Sequence, residues 1–202
     1  MIDPGNAEAR TLGPLLIISG PSGSGKSTIV SRLTAMPDLR LRQSISATTR
    51  PKREGEQHGR HYYFLSDEDF RSKIDRGEFL EYAEVHGHKY GTLRELVDEW
   101  RRQGWAVVLV IDVQGAAQVR QCCPDAVSIF VKTSSLDMLE KRLRERQTET
   151  EESIQRRLAN ARKELARADE YDYQVVNDDL NQAVEQIRSI IMTHRREDVK
   201  NA

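Results

Sequence analysis

Apolar residues follow two spacings along this chain, and the two spacings alternate. Continuous apolar runs at residues 15–18 and 105–111, bounded by Gly, Pro or polar residues, are typical of strands covered on both faces. Elsewhere apolar residues recur every three or four positions, the spacing of an amphipathic helix. These patterns predict further strands at residues 126–131 and 173–176. They also predict helices at residues 24–36, 66–77, 92–103 and 180–194, a short helix after Gly115 and a long, charged helical region at residues 136–168.

The order of these elements indicates the fold class. Strands alternate with helices, which is the pattern of an α/β protein with a parallel sheet and helices on both faces. Residues 43–65 are polar and rich in turn-forming residues, and we expect short strands and loops there. A length of 202 residues suits one domain, and residues 1–14 are expected to form a flexible N-terminal extension.

Composition and charge exclude several classes of protein. With 38% hydrophobic residues, 31% charged residues and a net charge of −1, the chain is neither disordered nor a general nucleic-acid-coating protein. No apolar run approaches the ~18–20 residues of a membrane span, and residues 1–11 lack the pattern of a secretory signal. The two cysteines, Cys122 and Cys123, are adjacent and unsuited to a disulfide framework. We therefore expect a cytoplasmic protein without nucleic-acid or membrane partners, its oligomeric state left open.

A phosphate-binding loop follows the first predicted strand. The segment GPSGSGKS matches G-x-x-x-x-G-K-[ST] and lies between a strand and a helix, as this motif requires. Its glycines let backbone N–H groups surround phosphate oxygens, and the following helix adds its positive N-terminal end. Lys26 supplies a cation, and the Ser27 hydroxyl supplies a ligand for Mg²⁺. The residues expected at the triphosphate are Gly20, Pro21, Ser22, Gly23, Ser24, Gly25, Lys26, Ser27 and Thr28.

A second group of cations lies in the turn-rich segment. Arg50 and Arg53, followed by Tyr62, could hold another phosphate through guanidinium forks and a hydroxyl. From the residues alone, surface charges in a loop are the more frequent explanation. The phosphate-binding loop does not identify the class of enzyme, because GTPases, ATPases and small-molecule kinases all carry one. The sequence does lack the N-K-x-D motif by which GTPases recognise guanine.

Eight short segments, taken in order, resemble the guanylate kinase family. They are GPSGSGKST at 20–28, SISATTR at 44–50, REGE at 53–56, GRHYYF at 59–64, GEFLEYAEVHGHKYGT at 77–92, IDVQGA at 111–116, TETEESIQRRL at 148–158 and VVNDDL at 175–180. Chance agreement of eight ordered segments is not credible. The resemblance covers residues 15–195 and implies a P-loop NTPase fold of three layers. It further implies a core of residues 15–42 and 93–202, an inserted GMP-binding lobe at about 43–92 and a helical lid at about 136–168.

The resemblance also implies an acceptor site with two parts. One part would hold the phosphate of GMP, and the other would recognise its guanine base. The implied phosphate residues are Arg50, Arg53, Tyr62 and Tyr90, and the implied guanine residues are Ser46, Glu81, Thr92 and Asp112. The Glu81 carboxylate would accept the guanine N1–H and 2-amino donors, which adenine lacks, while the Thr92 hydroxyl would donate to O6.

The implied reaction is Mg²⁺-dependent transfer of the ATP γ-phosphoryl group to GMP, and to dGMP, giving ADP and GDP. Both reactants are anions, so catalysis rests on charge neutralisation and alignment without a general base. Lys26 would serve the donor and Arg50 the acceptor. Arg146 and Arg157, in the lid, would close over the triphosphate. Asn177 is implied to lie near the ATP adenine, with a turn-capping role as the alternative.

Three positions depart from the family pattern. Val110 replaces an acidic residue, Gln147 replaces a glycine in the lid, and Lys52 replaces a frequent proline. Two other functions would share part of this pattern: a catalytically silent guanylate-kinase-like scaffold module and another nucleoside monophosphate kinase. Silent modules typically lose the phosphate loop or the acceptor arginines, and other nucleoside monophosphate kinases lack the combination of Ser46, Glu81 and Thr92.

Overall fold

A computed structural model of the chain describes residues 12–85, 87–145 and 150–200, with side chains as far as Arg195. The strands are β1 Leu15–Ser19, β2 Leu41–Gln43, β3 Ala47–Thr48, β4 Tyr63–Phe64, β5 Phe79–Val85, β6 His88–Leu93, β7 Ala106–Val110, β8 Val127–Lys132 and β9 Tyr173–Val176. The α-helices are α1 Lys26–Thr34, α2 Asp67–Asp75, α3 Arg94–Arg102, α4 Val113–Cys122, α5 Leu136–Glu145, α6 Glu151–Leu165 and α7 Leu180–Lys200. Short 3₁₀ helices cover Pro37–Leu39 and Ala168–Glu170.

The main sheet has five parallel strands in the order β2-β7-β1-β8-β9. Alternate residues of β1 face opposite layers, so that Leu16 packs in one apolar cluster with Ile29 of α1 and the residues of α7. Ile17 packs in the other cluster with residues of α3 and α4, including Val97 and Val119. The structure therefore confirms the predicted α/β class, with a parallel sheet covered by helices on both faces.

A second, four-stranded sheet has the order β4-β3-β6-β5. β3 pairs in parallel with β4, and β6 is antiparallel to both β3 and β5. Helix α2 packs on this sheet through Phe70, whose ring stacks on Phe79 with centroids 4.5 Å apart. Helix α2 lies within the predicted range 66–77, and the Ser66 hydroxyl caps it by accepting from the Asp69 backbone N–H.

Several predicted boundaries differ from the structure. Helix α4 begins before Gly115, because the Asp112 carboxylate caps it from outside the apolar pattern. The helical region predicted over residues 136–168 contains two helices, α5 and α6, and the Thr150 hydroxyl caps the second. The sequence pattern does not predict the hairpin of β5 and β6, because polar and apolar residues do not alternate clearly along these strands. Among the helices of the described residues, none combines the length and apolar composition of a membrane span.

Candidate active site

The phosphate loop lies between β1 and α1, as the sequence predicts. Gly20 has φ 135°, and a Cβ there would lie 2.0 Å from the Val131 carbonyl oxygen. Gly25 has φ 94°, and its Cβ would lie 2.1 Å from Nδ2 of Asn177. Both positions therefore require glycine, for conformation and for space. The loop they permit leads directly into the N-terminus of α1, where backbone N–H groups lack helical partners.

The Lys26 ammonium bends back over this loop. Its Nζ donates to the backbone oxygens of Gly20, at 2.5 Å, and Pro21, at 2.9 Å. Ser27 follows in the first turn of α1, with its side chain exposed. The part of the chain that the structure describes has no cluster of three His, Cys, Asp or Glu side chains able to hold a metal. A hard cation at this loop would thus be bound by Ser27, phosphate and water oxygens, a donor set that suits Mg²⁺.

Helices α5 and α6 cover the phosphate loop. Arg157, on α6, donates from Nη1 to the Ser22 hydroxyl at 2.8 Å. On α5, Leu139 and Leu143 approach Gly23 so closely that a Cβ there would lie 3.1–3.2 Å from their methyl carbons. The structure thus brings Arg157 to the loop, as predicted for a lid residue. Arg146, its predicted companion, and Gln147 lie outside the described residues.

A cavity of about 350 Å³ lies beside the loop, lined by Gly23, Gly25, Thr28, Arg142, Glu145, Asn177, Asp178 and Leu180. Asn177 is only 3% exposed. Its Nδ2 donates to the Ser24 backbone oxygen at 2.7 Å, while its Oδ1 has no hydrogen-bond partner in the described structure. Asn177 therefore holds the phosphate loop in shape and also faces the cavity where an adenine was predicted.

A second cavity, of about 200 Å³, lies between the small sheet and the end of β7. Five of the predicted acceptor residues line it: Ser46, Tyr62, Glu81, Tyr90 and Asp112. Val110 also lines it, and places an apolar side chain where the family pattern has an acidic one. The structure thus brings together residues that are distant in sequence and belong to both sheets.

Glu81 is a buried carboxylate on the wall of this cavity, 5% exposed. Thr92 donates to its Oε1 at 2.7 Å. Burial raises the pKa of Glu81 to about 7; the Thr92 hydrogen bond opposes that rise and the charge of Asp112 adds to it. Because the single Thr92 proton is donated to Glu81, Thr92 orients this carboxylate in the structure, and the Ser46 hydroxyl is a second donor on the cavity wall.

The two predicted acceptor arginines differ in their surroundings. Arg50 is nearly buried, and its guanidinium lies 5.4 Å from the Tyr62 ring centroid. It forms a bidentate pair with Glu56. Tyr90 is near enough to contribute to the raised pKa of Arg50, after Glu56. Arg53 is exposed, and its backbone N–H donates to the same Glu56 carboxylate at 2.8 Å.

The two cavities open at one edge of the main sheet. β1 and β7 are adjacent parallel strands, so the phosphate loop after β1 lies beside Asp112 after β7. The Ser19 hydroxyl joins these ends by donating to the Ile111 backbone oxygen at 2.7 Å. Burial raises the pKa of Glu164 on α6, with opposing influences from Lys26 and Asp112. The Glu164 carboxylate is therefore influenced by one charge from each cavity, Lys26 at the phosphate loop and Asp112 at the second cavity.

Sequence reasoning missed two residues of this site. Glu56 belongs to the REGE segment, whose pattern assigns it no role, although it contacts both arginines. The sequence pattern indicates only a helix after Gly115, but a Cβ at this position would lie 2.5 Å from Oε2 of Glu81. The i, i+3 spacing of Arg53 and Glu56 could have indicated a turn contact. The meeting of Gly115 and Glu81 depends on tertiary packing and has no local signal.

A parallel sheet with this phosphate loop and a second polar cavity at the same edge defines a P-loop nucleotide-binding enzyme. The family model described as "Guanylate kinase" matches residues 13–194. A guanylate kinase of Synechococcus sp. (strain JA-3-3Ab) is 50% identical over 182 residues, 90% of this chain and 83% of that protein. One of Neisseria meningitidis serogroup A is 51% identical over 179 residues, 89% of this chain and 87% of that protein.

A solved structure agrees with these matches. The crystal structure of guanylate kinase from Anaplasma phagocytophilum superposes with a TM-score of 0.73 at 32% identity, covering 92% of this chain and 88% of that one. The chain belongs to the guanylate kinase family, the nucleoside monophosphate kinases that transfer a phosphoryl group from ATP to GMP.

Proposed function

We propose that this chain transfers the γ-phosphoryl group of ATP to GMP and dGMP with Mg²⁺ as cofactor, the cavity beside Asn177 taking the ATP adenine and the one beside Glu81 taking guanine. The observation that carries this proposal is the buried Glu81 carboxylate at the sheet edge next to the phosphate loop. Guanine has two donors, N1–H and the 2-amino group, that match one carboxylate. Adenine would leave Glu81 buried and unpaired, which is a strong basis for selection.

On the donor side, the loop backbone, Lys26 and Ser27 hold the triphosphate. Lys26 exchanges its carbonyl contacts at Gly20 and Pro21 for phosphate oxygens, which offer a full negative charge in place of a dipole. Ser27 would hold Mg²⁺, which neutralises charge on the β- and γ-phosphates when bound. Arg157 hydrogen-bonds Ser22 of the loop, and together with Arg146 it stabilises the charge of the transferring group.

On the acceptor side, Arg50 and Arg53 bind the GMP phosphate, with the neutral hydroxyls of Tyr62 and Tyr90 as further donors. Burial raises the pKa of Tyr62, so its hydroxyl keeps its proton at neutral pH. None of these roles involves the ribose 2′-hydroxyl, and dGMP is therefore accepted as well as GMP. Transfer needs no general base, because an ionised phosphate oxygen of GMP is the nucleophile.

The cellular setting proposed is the cytoplasm, without nucleic-acid or membrane partners. Cys122 and Cys123 are both free thiols in the structure, with sulfurs 3.6 Å apart. Free thiols persist where glutathione and thioredoxin keep them reduced. GMP and ATP are cytoplasmic metabolites of such a compartment, which agrees with the proposed substrates.

The test is ADP formation from ATP and Mg²⁺ with GMP, dGMP, AMP, UMP or CMP as acceptor. We expect turnover with GMP and dGMP only. Arg50→Ala should raise the KM for GMP about 100-fold, since it removes a charge-assisted contact, with the KM for ATP little changed. Lys52→Ala removes a neighbouring exposed cation and should behave as the wild type. Absence of turnover would identify a silent binding module, and preference for AMP would identify another kinase.

A further inference from the structure

The guanidinium of Arg50 is held by an acidic side chain of its own loop. Its Nη2 donates to Oε1 of Glu56 at 2.7 Å, and its Nη1 donates to Oε2 at 3.1 Å. Nη1 also donates to the Pro51 backbone oxygen at 2.8 Å. The two side chains are only 11% and 19% exposed, which limits exchange of this pair with water. One edge of the guanidinium is thus fully occupied.

The same carboxylate also fixes the turn that carries Arg53. Oε2 of Glu56 accepts from the Arg53 backbone N–H at 2.8 Å, and the Glu56 N–H donates back to the Arg53 carbonyl. Gly55 has φ 80° within this turn. Glu56 therefore joins the side chain of one acceptor arginine to the backbone of the other, and these contacts hold the pKa of Glu56 at about 2.

The remaining donors of Arg50 adjoin the acceptor cavity. The Arg50 guanidinium lies 5.4 Å from the ring centroid of Tyr62 and is close to Tyr90, and both tyrosines line that cavity. The Phe64 ring centroid lies 5.8 Å from Cζ of Arg50, and this ring limits movement of the guanidinium. With Glu56 on the Nη1–Nη2 edge, the Nε–Nη2 edge is the one left for an incoming phosphate.

We propose that Glu56 is a positioning residue for the acceptor phosphate: it stays in place when GMP binds and presents the second edge of Arg50 to it. This inference rests on the proposed function. The Glu56 carboxylate accepts two hydrogen bonds from the Arg50 guanidinium and one from the Arg53 backbone N–H, which argues against its displacement by substrate. The two effects of Glu56 have opposite signs: its negative charge alone disfavours a phosphate dianion, whereas its hold on Arg50 favours one.

The opposite signs make Glu56→Gln a decisive variant. It keeps the side-chain length but removes the charge and one of the two acceptor oxygens that Arg50 uses. Positioning predicts a KM for GMP raised about tenfold with the KM for ATP unchanged. Glu54→Gln removes the same charge from an exposed site two residues away and should leave both KM values unchanged. Glu56→Asp, which keeps the charge, should restore part of the loss.

Guanosine, which lacks the phosphate, separates positioning from damage to the site. Its inhibition constant against GMP should be the same in wild type and Glu56→Gln, because Glu56 acts on the phosphate alone. An unchanged or lower KM for GMP in Glu56→Gln, or an equal loss of guanosine binding, would overturn the inference. If the wild type fails to phosphorylate GMP, the proposed function fails instead, and calorimetric binding of GMP to the same proteins still tests Glu56.

Discussion

Protonation of Glu81 gives the sharpest prediction for guanine recognition. The carboxylate must be ionised to accept the N1–H and the 2-amino group together. A protonated carboxylic acid would place its own O–H donor opposite one of these guanine N–H donors. Burial raises the pKa of Glu81 to about 7 in the ligand-free protein. Guanine affinity should therefore fall as the pH is lowered through neutrality, which is well above the range in which an exposed glutamate loses its charge.

The magnitude follows from the ionised fraction. With a pKa of about 7, roughly nine-tenths of Glu81 is ionised at pH 8 and roughly one-tenth at pH 6. A ligand that binds only the ionised form then loses about tenfold in affinity between these two values. Guanosine is the ligand to use, because the second pKa of a phosphate monoester, at about 6, would add its own titration to that of GMP.

The assay is calorimetric or inhibitory binding of guanosine from pH 6 to pH 8. The wild type should show the tenfold loss, while Glu81→Gln should bind weakly with no dependence on pH and should distinguish GMP poorly from other nucleoside monophosphates. Glu84→Gln, an exposed position on the same strand, is the control and should keep the wild-type profile. A wild-type affinity that is constant over this range would refute the reasoning.

The same group affects folding stability with a definite sign. Its pKa is higher in the folded protein, about 7, than the ordinary 4.5, so the folded state binds the proton more tightly. Stability contributed by Glu81 is therefore present below pH 4.5 and declines as the pH rises to 7, by about 3 kcal/mol. Urea unfolding at pH 5 and pH 7.5 measures this effect. The free energy of unfolding should fall between these two pH values by more in the wild type than in Glu81→Gln.

Two further substitutions test the contacts that shape the cavities. Gly115→Ala places a Cβ 2.5 Å from the Glu81 carboxylate and should raise the KM for GMP at least tenfold, although alanine by itself favours the helix by up to about 1 kcal/mol. The exposed Gln114→Ala is its control, and a normal KM in Gly115→Ala would contradict the packing argument. Asn177→Ala removes the bond to the Ser24 carbonyl and should raise the KM for ATP several-fold while leaving that for GMP unchanged. Equal effects on both substrates would contradict a local role at the phosphate loop.

The elements that the sequence predicted well are those with a local cause. The phosphate loop needs glycines at fixed offsets between a strand and a helix, so eight consecutive residues suffice to place it. The predicted helix at residues 66–77 likewise begins at a local feature, the Ser66 cap, which is formed with Asp69 three positions away. The β5–β6 hairpin is different, because its strands carry Glu81 and Thr92 inward among mixed polar neighbours, and burial is decided by the helix packed against them.

The acceptor cavity could be assembled from sequence only through the family resemblance. Its walls come from both sheets, and the contacts of Glu81 with Thr92 and Gly115 arise where α4 packs on β5. No periodicity reports such a meeting. The roles of individual residues in this cavity stay predictions that the substitutions above test, and Arg146 is among them.

The two halves of acceptor recognition belong to different parts of the fold, and this makes them separable. Guanine recognition, as proposed, depends on the start of α4, where Asp112 caps the helix and Gly115 leaves room for Glu81 beside the end of β7. Phosphate recognition, as proposed, depends on the Arg53–Glu56 turn, which Glu56 joins to Arg50. Substitutions at α4 should therefore change guanosine and GMP binding alike, whereas substitutions in the turn should change only ligands that carry a phosphate.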